Sequence, residues 1–259
     1  MTNAPEGTDR KLLRSLLRAV DVLESIGSHG KGISEIAKDL SVSKGTVYDI
    51  VRTLESRNFL SQDPQTQAYR LGGNLLRLGA DRLAGLDIVE LARPHLQALT
   101  DEVGEVTHLG RREGFYAFYL LRASSRRVSH MLNLHSRVGA PSPLHCTSMG
   151  KIFMAHLSDE DFSAFLKEPR ECFTERTITD PVALEAERSQ ILREECSFNI
   201  GEFEEGVSSI GVPLYSGGGT LVAAINFAIP SVRMPEESIP RLLGRLRETA
   251  ALITRGLGA

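Results

Sequence analysis

Several features are scarce in this chain of 259 residues, and each scarcity excludes a class of protein. No run of 18 apolar residues occurs, so no membrane-spanning helix is expected, and the first residues lack the apolar stretch of a secretory signal. The three cysteines, Cys146, Cys172 and Cys196, are too few and too widely spaced for a disulfide framework or a Cys-x-x-Cys zinc site. The formal net charge is only −3, which excludes a polybasic coat for nucleic acid. We therefore expect a cytoplasmic globular protein that contacts no membrane and needs no metal or other cofactor.

The small net charge is unevenly divided along the chain. Residues 1–85 carry 12 Lys and Arg against 10 Asp and Glu, a net of +2, whereas the remainder carries 18 against 23, a net of −5. The length allows one large domain or two ordinary ones. The front segment is therefore the better candidate for a polyanionic partner.

The first 70 residues show the pattern of a small helical module. Apolar residues at helical spacing over 12–27 predict an amphipathic helix, and a short second helix follows with Ser34 as its expected N-cap. After a three-residue break, Ser43 is placed to cap a third helix whose inward face centres on Val47. A turn-rich stretch over 63–67, between short apolar segments, predicts a β-hairpin.

The outward face of the third helix is short and mostly polar, as expected of a helix that enters the DNA major groove. Arg52 could bind guanine or phosphate, while the hairpin, with Arg70 at its base, would act as a wing on the adjacent backbone. The same periodicity would also suit a three-helix bundle used for packing alone. The candidate DNA-binding residues are Lys44, Gly45, Thr46, Tyr48, Asp49, Arg52, Thr53 and Arg70.

The rest of the chain predicts an α+β domain. Helical spacing continues over 74–103, with interruptions expected near Gly85 and Pro94. Beyond residue 104, strands alternate with helices in an order that indicates one largely antiparallel sheet. The expected strands are Glu105–Gly110, Phe115–Arg122, Arg127–Leu134, Gly206–Tyr215 and Thr220–Ile229, and the expected helices are Ser148–Leu157, Asp159–Lys167, Val182–Glu195 and Ile239–Leu257.

Five segments of this sequence resemble IclR-type transcriptional regulators, in the order that the family has them. They are SLLRAVDVLESI (15–26), GISEIAKDLSVSKGTVYDIVRTLESRNFL (32–60), AYRLG (68–72), PLHCTSMGK (143–151) and NIGEFEEGVSSIGVPL (199–214). The resemblance implies a winged helix-turn-helix DNA-binding domain over 1–73, a linker helix over 74–92, and a GAF-like effector-binding domain over 93–259. It also implies a homodimer or a dimer of dimers on double-stranded operator DNA. The apolar excess on the first helix and on Leu75–Leu83 is where we expect the subunit interface, unless both faces are satisfied within one chain.

The resemblance further implies a pocket for a small organic acid. Carried over by position, the effector-binding candidates are Met131, Leu134, Cys146, Thr147, Ser148, Met149, Asn199, Ser209, Asn226 and Ala228. The residues alone also favour part of this set, because Thr147 or Ser148 can cap a helix whose N-terminus attracts anions, and Ser209 and Asn226 interrupt apolar strands. Ordinary capping and cross-strand hydrogen bonds would explain the same residues.

This chain departs from the family at four of these positions. Asp49 stands where the recognition helix usually has arginine, and Gly45 replaces a usual serine, so no operator sequence can be borrowed from a relative. Asn199 replaces an acidic residue and Ala228 replaces a small hydroxyl, which leaves fewer polar contacts in the pocket. A larger or less polar acid, such as an aromatic one, is the hypothesis that follows.

Competing interpretations of individual motifs are weaker. Cys146 beside His145 suggests a nucleophile, but adjacent side chains rarely meet in a catalytic pair, and a buried structural cysteine is the better interpretation. The acidic cluster over 202–205 has no histidine at ligand spacing and is expected at an exposed strand entry, and Gly217–Gly219 is expected to form a hairpin turn. An enzyme with an appended helix-turn-helix module, and a module that binds protein through its front domain, remain the two alternatives.

Overall fold

The computed structural model describes residues 12–27, 29–84, 87–125 and 136–257, and it divides the chain into two units, residues 1–84 and 85–259. Among the described helices, none is long and apolar enough to cross a membrane. The first unit contains the helices α1 (Arg14–Ile26), α2 (Ile33–Asp39) and α3 (Lys44–Ser56), the strands β1 (Leu60–Gln62) and β2 (Tyr69–Leu71), and the helix α4 (Gly73–Ala84). This is the element order of a winged helix-turn-helix.

The core of the first unit forms where three amphipathic helices meet. Val22 of α1, Ile36 of α2, and Val47 and Val51 of α3 are fully buried and pack in one cluster. The turn between α2 and α3 is sharp because Ser41 adopts a left-handed backbone conformation, with φ 54°. The expected inward face of α3 is therefore confirmed, which leaves its opposite face on the surface.

The N-termini of α2 and α3 are capped in different ways. The Ser43 side chain accepts a hydrogen bond from the backbone N–H of Thr46 at 3.1 Å, as expected. Ser34, in contrast, is not the N-cap of α2, so that expectation was wrong. The helix begins two residues earlier with Gly32 as N-cap, because the Glu35 carboxylate reaches back to the backbone N–H of Gly32 at 2.8 Å.

The predicted hairpin is present and carries one additional pairing. Strands β1 and β2 are antiparallel, and the turn between them is held by Asp63, whose Oδ1 accepts from the backbone N–H groups of Gln65 and Thr66. Lys31 pairs with Tyr69 as an isolated bridge on the far side of β2. The wing is therefore tied to the segment that precedes α2.

The second unit is built on a six-stranded antiparallel sheet in the order β5-β4-β3-β8-β7-β6. Its strands are β3 (Val106–Glu113), β4 (Tyr116–Ala123), β5 (Pro141–Pro143), β6 (Ser197–Ile200), β7 (Val207–Tyr215) and β8 (Leu221–Pro230). Its helices are α5 (Asp87–Val103), α6 (Ser148–Ala155), α7 (Asp159–Phe165), α8 (Pro181–Glu194) and α9 (Ile239–Leu257). The α+β class and the largely antiparallel sheet are confirmed.

Helices pack on both faces of this sheet. Thr107 of β3 faces α5, where its hydroxyl lies 2.7 Å from that of Thr100, and α9 packs beside α5. The next residue, His108, faces the side of α6 because side chains alternate along a strand. A Cβ added to Gly110 would lie 2.2 Å from Met149 Sδ, so α6 sits directly on β3 with no room for a larger residue. All eight residues of α6 are buried.

The structure of the second unit differs in part from what the sequence predicted. Pro94 does not interrupt α5, which runs unbroken from Asp87 to Val103, because buried side chains on both sides of the proline, such as Val89 and Leu96, hold the helix on the core. The strands β5 and β6 were not predicted. The expected strand Arg127–Leu134 lies outside the described residues. The turn at Gly217–Gly219 does connect β7 and β8, as expected.

Candidate functional site

The outward face of α3 is the candidate DNA-binding surface. Lys44, Gly45, Tyr48, Asp49 and Arg52 are exposed, whereas Val47 and Val51 are buried beneath them. Thr53 is exposed and Thr46 half-buried, so the candidates on this helix share one continuous face.

Two arginines near this face are held by carboxylates of the first unit. The Nη1 atom of Arg52 lies 3.0 Å from Oε2 of Glu55, and Nη2 of Arg70 lies 3.3 Å from Oδ2 of Asp63 in the wing. Backbone hydrogen bonds from Thr66 and Gln65, helped by the charge of Arg70, lower the pKa of Asp63, so this carboxylate is charged at neutral pH. Both guanidinium groups are more than half exposed and keep donors for a partner.

A second surface of the first unit is apolar and uncovered. Five side chains of α1 and the residues just before it are 46% to 64% exposed, namely Leu12, Leu13, Leu16, Leu17 and Val20. In α4, Leu76 is 78% exposed and Leu78 is 44% exposed. These apolar side chains are not covered by other residues in the described part of the chain. Contiguous exposed apolar side chains of this kind usually mark an interaction surface.

The second unit contains a partly open cleft between the sheet and α6, with a cavity volume of about 40 Å³. Its described lining residues are His108, Tyr119, Ser136, Thr147, Asn199, Phe203, Glu204, Val207, Ser209, Asn226 and Ala228. Two strand pairings bring these residues together, since His108 faces Asn226 across β3 and β8, and Ser209 faces Ala228 across β7 and β8.

The cleft gathers half of the effector-binding candidates. Thr147, Asn199, Ser209, Asn226 and Ala228 line it. Cys146, Ser148 and Met149 are buried next to Thr147 but are not among the described lining residues. Met131 and Leu134 lie outside the described residues.

Several lining residues were missed from the sequence, and His108 is the most informative of them. β3 also contains Thr107, Arg111 and Arg112, so polarity within the strand could not single out His108 from the sequence. Its Nδ1 lies 3.1 Å from Oδ1 of Asn226, whose Nδ2 in turn donates to Oγ of Ser148 at 3.2 Å. This chain of hydrogen bonds joins β3, β8 and the start of α6.

The N-terminal end of α6 lies at the wall of the cleft. Thr147, which lines the cleft, is the N-cap, and its Oγ1 accepts from the backbone N–H of Gly150 at 3.0 Å. The first N–H groups of a helix have no acceptor within it, and together with the helix dipole they favour a negatively charged group. Hydroxyl and amide groups of the lining can add donors, while Lys and Arg are absent from its described part.

The competing motifs have structural explanations. His145 Nε2 lies 2.9 Å from the carbonyl oxygen of Glu171, and burial raises the pKa of the Cys146 thiol far above its usual range, so the thiol stays protonated. Glu202 is buried against Lys151, so the expectation that 202–205 is simply an exposed strand entry was wrong for that residue. Within the described ranges, no group of three His, Cys, Asp or Glu side chains could hold a metal ion.

Two family models match this chain. The model described as the IclR helix-turn-helix domain matches residues 15–64, and the model described as the bacterial transcriptional regulator IclR C-terminal domain matches residues 80–255.

Similar proteins include a curated relative and two solved structures. The HTH-type transcriptional regulator BhcR of Paracoccus denitrificans is 31% identical over 247 residues, which cover 95% of this chain and 88% of that protein. The crystal structure of the Thermotoga maritima IclR protein matches with a TM-score of 0.75 at 27% identity, covering 95% of this chain and 99% of that one. The structure of an IclR homologue from Microbacterium hydrocarbonoxydans, complexed with 4-hydroxybenzoate, matches with a TM-score of 0.79 at 25% identity, covering 94% and 98%.

Proposed function

This chain belongs to the IclR family of bacterial transcriptional regulators, and from that premise we propose that it binds a palindromic operator as a dimer or tetramer and senses a small organic acid. Its helix-turn-helix domain binds DNA and its second domain binds an effector, as in the family. The operator symmetry, the assembly and the chemistry of the effector are the proposed parts.

The polar face of α3 is the observation that carries the DNA-binding part of this proposal. It exposes Lys44, Tyr48, Asp49 and Arg52 on a helix that is capped and anchored by a buried opposite face. One such helix reaches only a few base pairs, so a second copy on a symmetric site would double the contacts. Arg52 can donate to guanine or phosphate, and Arg70 in the wing can reach the neighbouring backbone.

The exposed leucines of α1 and α4 support the assembly. An apolar face of this size is costly in water, and a second copy of the same face would cover it symmetrically. We infer that α1 pairs two subunits and that the face around Leu76 contributes to the same or a second interface.

The cleft in the second unit supports an acid effector. The N-terminal end of α6, the hydroxyl of Ser209 and the amide group of Asn199 are donors suited to a carboxylate, whereas the hydroxyl of Thr147 already donates to the carbonyl of Pro143. Apolar contacts from Phe203 and Val207 would suit a ring, and the related structure that contains 4-hydroxybenzoate makes aromatic acids the first candidates. Occupancy would then change operator affinity if the ligand binds more tightly to one arrangement of the two domains.

The DNA-binding proposal is tested by selecting duplex fragments with the purified protein and measuring their affinity by fluorescence anisotropy at several salt concentrations. Affinity should fall steeply with salt because bound phosphates release counterions. Arg52→Ala should weaken binding about tenfold or more, whereas Arg77→Ala, a matched change on α4, should leave it nearly unchanged. Equal effects of the two changes would contradict the assignment of α3 to the groove.

The effector proposal is tested by a thermal-shift screen of small carboxylic acids followed by operator binding with each hit. A ligand that binds only the folded protein raises the melting temperature in proportion to the logarithm of its concentration. At least one acid should do so and should also change operator affinity. Acids that stabilise the protein without changing operator affinity would leave binding without regulation and contradict the sensor proposal.

A further inference from the structure

His108 carries a buried hydrogen-bond acceptor in the wall of the cleft. The side chain is fully buried in the middle of β3, and its Nδ1 faces Oδ1 of Asn226. An amide oxygen can only accept a hydrogen bond, so the hydrogen of a neutral imidazole must be on Nδ1. The other ring nitrogen, Nε2, therefore carries a lone pair.

This lone pair has no partner in the described part of the chain. Nε2 of His108 is buried without a hydrogen bond, and the residue lines the cleft. The ring packs against Tyr119 with centroids 4.8 Å apart, but the Tyr119 hydroxyl donates to Ser142 and is not available to His108. A buried acceptor left unpaired is costly, so a partner supplied by a ligand would be favourable.

The imidazole also keeps this role across the physiological pH range. Burial, followed by the nearby charge of Arg122, lowers the pKa of His108 to about 3, although the hydrogen bond to Asn226 acts in the opposite direction. The ring is therefore neutral at neutral pH, and Nε2 remains an acceptor.

A second unpartnered group lines the same cleft. Ser136 Oγ is buried and, among the described residues, has no hydrogen-bond partner. Two unsatisfied polar groups on one cleft are unusual for a folded domain, where most buried polar atoms are paired. Both can be satisfied by one polar ligand.

We propose that the effector is a hydroxylated acid and that His108 Nε2 accepts the hydrogen bond of its hydroxyl group. This inference rests on the proposed function that the cleft binds a small organic acid. A plain carboxylate is ionised at neutral pH and carries no hydrogen to donate, so it would leave Nε2 unpaired. A hydroxyl group on the same molecule donates one, and the effect is selectivity for hydroxylated acids over their deoxygenated or fluorinated analogues.

Isothermal titration calorimetry with matched acid pairs tests this selectivity. The probes are the three monohydroxybenzoates against the corresponding fluorobenzoates, and lactate against propionate. Fluorine is close in size to a hydroxyl group but donates no hydrogen bond. At least one hydroxylated acid should bind about tenfold or more tightly than its partner.

Variants of His108 separate hydrogen bonding from shape. His108→Phe keeps a ring but removes the acceptor, so the preference within that pair should fall to about one. His108→Gln can place an amide oxygen near the former Nε2 and should retain part of it. His156→Phe is the matched control, because His156 is hydrogen-bonded to Ile152 and Tyr215 and does not line the cleft, and it should leave the preference unchanged.

Nitrogen-15 NMR of the wild-type protein gives a test that needs no variant to fold. The Nε2 resonance of His108 should be that of an unprotonated nitrogen in the free protein, and it should move on addition of the hydroxylated acid but not of the fluorinated one. A protonated Nε2 would overturn the inference, as would acids that bind with equal affinity with and without the hydroxyl. If no acid binds at all, the proposed sensor function fails, and this inference fails with it.

Discussion

Nζ of Lys151 lies 2.6 Å from Oε1 of Glu202, and both side chains are almost completely buried. A second carboxylate, that of Glu187, lies 2.9 Å from the same ammonium group. Burial raises the pKa of Glu202 while the Lys151 charge opposes the shift, so the pair is stable only because each group neutralises the other. This contact joins α6, α8 and the segment after β6, and Thr147 and Phe203 beside it line the cleft.

Removal of the lysine from this pair should strongly destabilise the second unit. Lys151→Met leaves Glu202 buried without its counter-charge, and the expected loss in the free energy of unfolding is about 3–5 kcal/mol. Urea denaturation monitored by circular dichroism would measure it. Lys151→Met combined with Glu202→Gln should recover part of the loss, whereas Arg245→Met, which breaks an exposed pair with Glu102, should have a much smaller effect.

The buried imidazole of His108 predicts a specific pH dependence of stability. Its pKa is about 3 in the folded protein and near 6.5 in an unfolded chain, so between these values only the unfolded chain binds the proton. Stability should therefore fall as the pH is lowered through this window, by about 2 kcal/mol between pH 7 and pH 5 from this residue alone.

The comparison of wild type with His108→Gln isolates this contribution. The variant lacks the imidazole, so its stability should decline less between pH 7 and pH 5, and the difference between the two proteins should shrink by the same amount. Urea titrations at both pH values would measure it. Parallel declines would show that His108 is protonated in the folded state or is not buried.

The sequence predicted the first unit well because local rules determine most of it. The spacing around Val47 orients α3, and Ser43 is a strong cap that must stand where the helix begins. The capping rule was wrong at Ser34 because a glycine followed three residues later by Glu35 forms an equally good N-terminus. Pro94 was misjudged because tertiary packing along α5 outweighs the loss of one helical hydrogen bond.

The second unit was harder to predict because its site depends on non-local pairing. β5 and β6 contain three and four residues, too few for a periodic signal. Lys151 looks like a surface residue, since lysine is rarely buried, and only the distant Glu187 and Glu202 explain its position. Likewise, the hydrogen bond that orients the His108 ring comes from Asn226, which is 118 residues away in the chain.

The apolar face of α1 is the proposed subunit interface, and a charge placed there tests it. Leu16→Lys places a charge in the middle of this face and should convert the assembly to a smaller species, because an unpaired charge cannot be buried cheaply between two copies. Analytical ultracentrifugation would measure the change. Val232→Lys, at an exposed apolar residue of the second unit, is the control and should leave the sedimentation unchanged. If Leu16→Lys sediments like the wild type, α1 is not the interface.

The charge of Asp49 predicts a trade-off between general DNA affinity and selectivity for particular bases. An exposed carboxylate on the outward face of α3 repels phosphates but can accept a hydrogen bond from cytosine N4, so we expect Asp49 to lower general affinity and to favour particular bases. Asp49→Asn should therefore raise affinity for unrelated duplex severalfold and reduce discrimination between the selected operator and unrelated DNA by about tenfold. Competition anisotropy at two salt concentrations would measure both quantities. Asp81→Asn makes the same charge change on α4 and should alter neither, so a matching effect there would mean that net charge, and not the position of Asp49 on the recognition helix, determines the result.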